Sequence, residues 1–145
     1  MLTLDDTPGP NLIRGYGVAG AFIQLPNRTL RASCLIGVER VIERWRPARI
    51  EDLELGDLEL VFAQGASVVL LAMPAPVTFP APRIRGAFGE RRVGLEVMEL
   101  GAACRTFNVL VQERRSVLGA FLIPGGAPEE DTGRESFTNQ PIIRS

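Results

Sequence analysis

Histidine and lysine are both missing from these 145 residues. Without histidine the chain lacks the commonest metal ligand and the usual general base near neutral pH. Without lysine it can form no side-chain Schiff base and has no P-loop lysine to offer a phosphate. All sixteen cationic side chains are arginines, offset by seventeen acids to leave a net charge of −1. The acids are spread along the chain, so there is no basic surplus of the kind that nucleic-acid binding demands. Cysteine is scarce too: Cys34 and Cys104 stand far apart, forming neither a CxxC zinc pair nor a disulfide framework. That usage points to a reducing, cytoplasmic compartment. The longest strongly apolar run, "ASVVLLAM" at 66–73, falls well short of the ~20 residues a membrane-spanning helix needs. The opening "MLTLDDTPGPNLIRG" carries acids where a signal peptide would carry basic residues, so no leader is expected.

What is present reads as an ordinary globular domain. Hydrophobic residues make up 46% and charged residues 23%, too apolar for a disordered chain. A chain of this length buries roughly 70% of its unfolded surface around a single core. One domain is expected over residues 1–124. Residues 125–145, "GGAPEEDTGRESFTNQPIIRS", are rich in Gly, Pro, Ser and acids without periodicity, and read as a flexible tail.

Two β-prone runs, "AFIQL" and "TLRASCLIG", flank "PNR" and predict a hairpin. The glycines of "IRGYGVAGAF" suggest turns, because "GYGVAG" lacks the strand-to-helix setting of a dinucleotide motif. In "VERVIERWR" the spacing of Val38, Val41, Ile42 and Trp45 is helical, yet the segment is confined between Gly37 and Pro47. A helix is expected from about Asp57 to Gln64, then a buried strand at "SVVLLAM", then a loop held extended by prolines 74, 76, 80 and 82. A short helix in "PRIRGAFGERRVG" ending near Gly94, a strand "LEVME", a helix "GAACRTFNVLVQER" and a strand "SVLGAFLIP" complete the order. Alternating strands and helices predict a mostly parallel sheet of about five strands with right-handed crossovers.

The candidate site is the helix that opens at Gly101. Helical spacing puts Cys104, Phe107 and Val111 on one face and Arg105, Asn108 and Gln112 on another. A cysteine in the first turn of a helix can have its thiol acidified by unpaired N–H groups, and a neighbouring arginine helps. Packed beside Phe107 as a small hydrophobe, Cys104 is instead inert, which is the commoner fate of free cysteine. Gly101 and Ala102 leave the helix N–H groups unscreened, so an anion could bind there with Arg105 completing the pocket. The alternative is that Arg105 pairs with Glu96, Glu99 or a backbone carbonyl and locks helix to strand. Trp45, the single tryptophan, is either a core anchor or, with its arginine neighbours, part of a partner surface. Neither a metal nor a cofactor is called for by these residues.

The stretch "GLEVMELGAACRTFNVLVQERRSVLGAFLIP", 94–124, closely resembles the signature of a small α/β family. Its members include mitochondrial NADH dehydrogenase (complex I) assembly factor 3 and adipogenesis-associated Mth-domain proteins. The resemblance continues upstream through "IRGYG", "ASCLIG", the Trp45 segment and "RIEDL", covering roughly residues 12–124. It implies a three-layer α/β domain with a mixed central sheet, helices and an N-terminal β-hairpin layer, and places a strand at the Trp45 segment. It also implies a non-enzymatic, chaperone-like role in assembling a respiratory complex, with complex subunits as partners at the inner membrane; apart from the resemblance, a weak homo-oligomer that serves as a scaffold is a further option. On that basis the expected surface comprises Trp45, Gly101, Ala102, Cys104, Arg105, Thr106 and Asn108. A small-molecule or anion-binding domain with thiol chemistry at Cys104 is the competing function. Two departures stand out: "AMPAP" at 72–76 replaces a GTG-type loop, and Glu99-Leu100 replaces Asp-Thr before the last helix. Because leucine cannot cap, the helix is expected to open without a side-chain acceptor.

Overall fold

In the computed structural model, residues 10–17 and 21–125 are described. The expected flexible tail lies, beyond Gly125, outside those residues. A central sheet of five strands has the order β5-β4-β8-β6-β7. Its members are β4 (Cys34–Gly37), β5 (Val41–Ile42), β6 (Val68–Met73), β7 (Gly94–Glu99) and β8 (Val117–Phe121). β6 pairs in parallel with both β7 and β8, whereas β4 runs antiparallel to β8 and to β5. The expected mixed sheet is thus present. Its parallel half is built by the strand, helix, strand repeat, because each helix carries the chain back across a face of the sheet.

Apolar side chains cover both faces. On one face α3 (Leu100–Gln112) and a three-stranded antiparallel sheet, ordered β1 (Gly15–Gly17), β2 (Phe22–Leu25) and β3 (Arg28–Leu30), pack against Ile36, Leu70, Ala72 and Phe121. On the other, α1 (Leu58–Ala63), α2 (Pro82–Arg91) and the 3-10 turns Ile50–Asp52 and Leu55–Asp57 cover Leu35, Val69, Leu71, Leu118 and Ala120. Alternate residues of β6 and β8 feed opposite cores, which is why "SVVLLAM" is apolar at every position. Phe107 and Phe121 are fully buried, and burial of such a side chain contributes about 1.5–3 kcal/mol relative to exposure.

Several sequence expectations need correction. The β-prone run "TLRASCLIG" is not one hairpin arm: Arg28–Leu30 pairs with β2, and Cys34–Gly37 joins the central sheet. The break is at Ser33, which is buried. Its hydroxyl accepts from Ile123 N–H at 2.9 Å and its carbonyl from Trp45 N–H at 2.9 Å. "GYG" is a strand and not a turn, since its residues pair with Phe22–Gln24. The strand implied at the Trp45 segment is real but only two residues long, Val41–Ile42. The helix after the proline loop ends at Arg91 and not near Gly94, with Arg92 taking the left-handed conformation at φ 58° that glycine usually supplies.

Candidate functional site

α3 begins where β7 ends, and the opening of the helix differs from the expectation drawn from Leu100. Glu99 is the N-cap residue, and its carboxylate accepts from Ala102 N–H at 3.2 Å. A side-chain acceptor is therefore present, supplied one residue earlier than the position compared with relatives. The negative group also occupies the place an external anion would take at this helix end.

Gly101, Arg105 and Asn108 follow one another along the helix at spacings of four and three, forming one ridge. That ridge meets the N-terminal segment. A Cβ at Gly101 would stand 2.8 Å from the Tyr16 ring, so only glycine lets the ring lie on the helix. One turn on, Arg105 Nη1 donates to the Tyr16 hydroxyl at 2.5 Å. At the next turn the Asn108 amide accepts from Ile13 N–H at 2.8 Å and donates to Ile13 O at 2.9 Å. The amide thus imitates a neighbouring strand and satisfies both polar groups of Ile13. Asn11 extends the clasp on the far side, its amide donating to Gly37 O at 2.9 Å. Arg105 bonds a phenol 89 residues away, and not Glu96, Glu99 or a backbone carbonyl as the locking reading expected.

The apolar face of α3 is equally committed. Cys104 is 2% exposed and packs with Phe107, Val111 and Cys34 in the first core. Burial pushes its thiol up to about 12 from an ordinary 9.0, with Glu99 adding to the shift and Arg105 opposing it. Burial likewise raises Cys34 to about 12, reinforced by Cys104 and Glu43. Both sulfurs are thus neutral thiols at pH 7, the state least suited to nucleophilic attack. Ala102 and Thr106 are half-buried flanking positions.

Trp45 does not join this group. It is 5% exposed in the core on the opposite face of the central sheet, where its indole N–H donates to Asp57 O at 3.2 Å. Its neighbour Arg46 grips the same residue, with Nε and Nη2 each 2.7 Å from an Asp57 carboxylate oxygen. The Arg46 hydrogen bond holds the Asp57 carboxyl below its ordinary 3.8; Glu54 N–H assists and burial opposes. Trp45 and Arg46 therefore pin the turns ahead of α1, and a shared surface for Trp45 and Arg105 is ruled out by the sheet between them. Among the described residues no group of three or more Cys, Asp or Glu side chains is arranged to hold a metal ion, and no helix is long and apolar enough to cross a membrane.

Sequence reasoning passed over one feature. The loop after β6 presents Phe79 at 68% exposure, with Val77 at 37%. Pro80 behind Phe79 is buried and Thr78 N–H points to Met73 Sδ at 3.5 Å. The signal was available, since an aromatic between two X-Pro segments cannot fold back into a regular element.

Solved structures share this architecture. A Xanthomonas campestris protein, XCC1710, matches with a TM-score of 0.72 at 26% identity, over 87% of this chain and 92% of its own. A Bartonella henselae protein described as an outer membrane protein matches at 0.65 and 23%, over 81% of this chain and 98% of its own. A Bordetella pertussis protein described as a Mth938-like domain matches at 0.66 and 21%, over 79% of this chain and 87% of its own. At those identities the last two carry the fold alone. No curated protein matches the chain. The sequence pattern of a protein family of unknown function, DUF498/DUF598, matches residues 13–122. That span takes in Ile13, Tyr16 and every strand of both described sheets, and the chain belongs to the DUF498/DUF598 family.

Proposed function

We propose that the chain is a non-catalytic protein-binding factor, and that it assists assembly of the respiratory NADH dehydrogenase complex, as the resemblance of its 94–124 stretch implies. The observation that carries the binding role is Phe79, the most exposed of the large hydrophobic side chains among the described residues. An aromatic held out by a proline-stiffened loop loses little conformational freedom on contact, and aromatic anchors dominate the energetics of protein interfaces. The chemistry of the "GAAC" helix supports the same side of the choice. Its thiol is buried and neutral, its N-terminus is capped by Glu99, and its polar ridge is engaged with Tyr16 and Ile13. A thiol-dependent activity finds no accessible sulfur there, and the contact surface is proposed at the loop after β6 in place of Arg105 and Trp45. Partners are proposed to be respiratory-complex subunits at the inner membrane, met from the cytoplasmic side.

The test is affinity capture from detergent-solubilised membranes of the source organism, comparing the wild type with Phe79→Ser. NADH dehydrogenase subunits recovered with the wild type and lost with Phe79→Ser are the expected result. Recovery of no such subunit with either protein overturns the assembly role.

A further inference from the structure

We propose that the chain forms a symmetric dimer through the outer edge of β7, which pairs antiparallel with β7 of a second copy. Gly94 N–H donates to Ser67 O at 2.9 Å, and the parallel register then turns the main-chain groups of Gly94, Glu96 and Met98 toward β6. Those of Leu95 and Val97 turn the other way, and among the described residues no hydrogen bond reaches them. β7 ends the sheet order, with no described strand beyond it. All six of its residues keep some exposure, whereas five of the six in β6 are buried. The remaining edge strands are blunted by brevity, β5 with two residues and β1 and β3 with three each. β7 has six residues, pairs without a bulge and contains neither proline nor lysine. Its guard against strand addition is a charge, the exposed Glu96 at mid-strand.

That charge selects the register, and with it the occupant. An antiparallel pair exchanges hydrogen bonds between residues whose main-chain groups point outward, so a two-fold axis can pass at Leu95, Glu96 or Val97. At Glu96 it would set two carboxylates directly opposite each other at the closest spacing of the ladder. At Leu95 it would pair Val97 with Val93, whose N–H is already held by Phe88 O at 3.0 Å. At Val97 neither fault arises: Val97 faces its own copy, Leu95 faces Glu99, and Glu96 faces Met98. The Glu99 carboxylate is occupied with Ala102 N–H, so no like charges meet. Leu95 and Val97 pack only partly against the second core, and pairing covers the apolar surface they leave bare at the end of the sheet. β7 offers a foreign segment main-chain groups that any sequence matches, whereas its own sequence satisfies charge, register and apolar cover together. The contact is isologous and closes on itself. It is separate from the binding role of Phe79, which lies in the loop after β6.

The experiment follows the full chain by sedimentation velocity and amide exchange from about 10 μM to about 1 mM. A dimer is expected, with exchange at Leu95 and Val97 slowing as concentration rises. Mixed samples of isotope-labelled and unlabelled protein should show Leu95 in contact with Glu99 of the second copy. Val97→Pro removes an outward N–H and spares the ladder to β6, so it should weaken the dimer by about tenfold or more. Val97→Arg, which sets like charges face to face across the axis, serves if the proline variant fails to reach the wild-type Tm. A monomer throughout, with Leu95 and Val97 exchanging freely, overturns the proposal. Protection that does not depend on concentration gives the edge to another segment of the same chain and overturns it too. A dimer indifferent to the Val97 changes, or one that brings two Glu96 side chains together, does the same. Phe79→Ser should leave the dimer unaltered, so this result is read apart from the binding role.

Discussion

Replacing Asn108 by leucine isolates the clasp between α3 and the N-terminal segment. The change removes the bond from Ile13 N–H at 2.8 Å and the bond to Ile13 O at 2.9 Å, leaving both main-chain groups of a residue only 6% exposed without partners. Each lost bond is worth about 1 kcal/mol net, and stranding a partly buried donor and acceptor adds to that. A loss of about 2–3 kcal/mol follows. For a domain of this size 1 kcal/mol corresponds to about 4 °C, so Tm should fall by about 8–12 °C in calorimetry. The effect should also have an address: amide exchange at Ile13 and at Arg14, whose N–H bonds Gln24 O at 2.8 Å, should speed up before that of β8. Val109→Ala, one residue along and 50% exposed, is the control and should stay within about 0.5 kcal/mol. A fall of less than about 3 °C with Ile13 still protected would refute the reasoning, because water would then be replacing the amide at no cost.

Gly119→Ala should cost about 2–3 kcal/mol in urea denaturation, since its Cβ would lie 2.4 Å from the fully buried Phe121 ring in the centre of the sheet; an unchanged midpoint would show that the ring can turn away. The two thiols predict an alkaline limb. Their folded pKa values are raised above 9.0, so their contribution is complete below pH 9 and is lost as pH climbs toward about 12. Denaturation midpoints between pH 8 and 11 should fall more steeply for the wild type than for Cys34→Ala with Cys104→Ala, and a thiol reagent at pH 7 should modify neither sulfur until the chain unfolds. Asp57 predicts the opposite limb: its lowered pKa stabilises the fold above 3.8, and that contribution disappears as pH falls below it. Asp57→Asn should flatten the acid side of the stability curve measured from pH 6 to 2, and an unaltered slope would assign acid unfolding to other carboxylates.

The last helix and the parallel strands were legible because local pattern and tertiary environment agree there. A run such as "SVVLLAM" can sit only in a sheet covered on both faces. "VERVIERWR" shows the opposite case: Val38 and Val41 pack on one core while Ile42 and Trp45 pack on the other, so a helical period recorded residues on two sides of a sheet. The break in "TLRASCLIG" was hidden because Ser33 is fixed by Ile123, 90 residues away. At the site the ridge of Arg105 and Asn108 followed from helical spacing, but its purpose did not. The groups it binds belong to Tyr16 and Ile13, and no local rule couples a helix to a segment 95 residues earlier. Glu99 as the N-cap was visible one position upstream, where an acid stands just ahead of Leu100 and the small residues Gly101 and Ala102.

The strand order β5-β4-β8-β6-β7 has a bearing on biosynthesis. Among the described residues β8 is the last strand to leave the ribosome, yet it occupies the middle of the sheet and there links β4 to β6. Until Val117–Phe121 emerges, the chain holds two half-sheets, each with an open edge facing the place where β8 belongs. Neither core can close, and the clasp on Ile13 has no fixed helix to grip. Synthesis must therefore run through β8 before the central sheet is whole, and a stop upstream of β8 leaves exposed edges for chaperones or proteases to find.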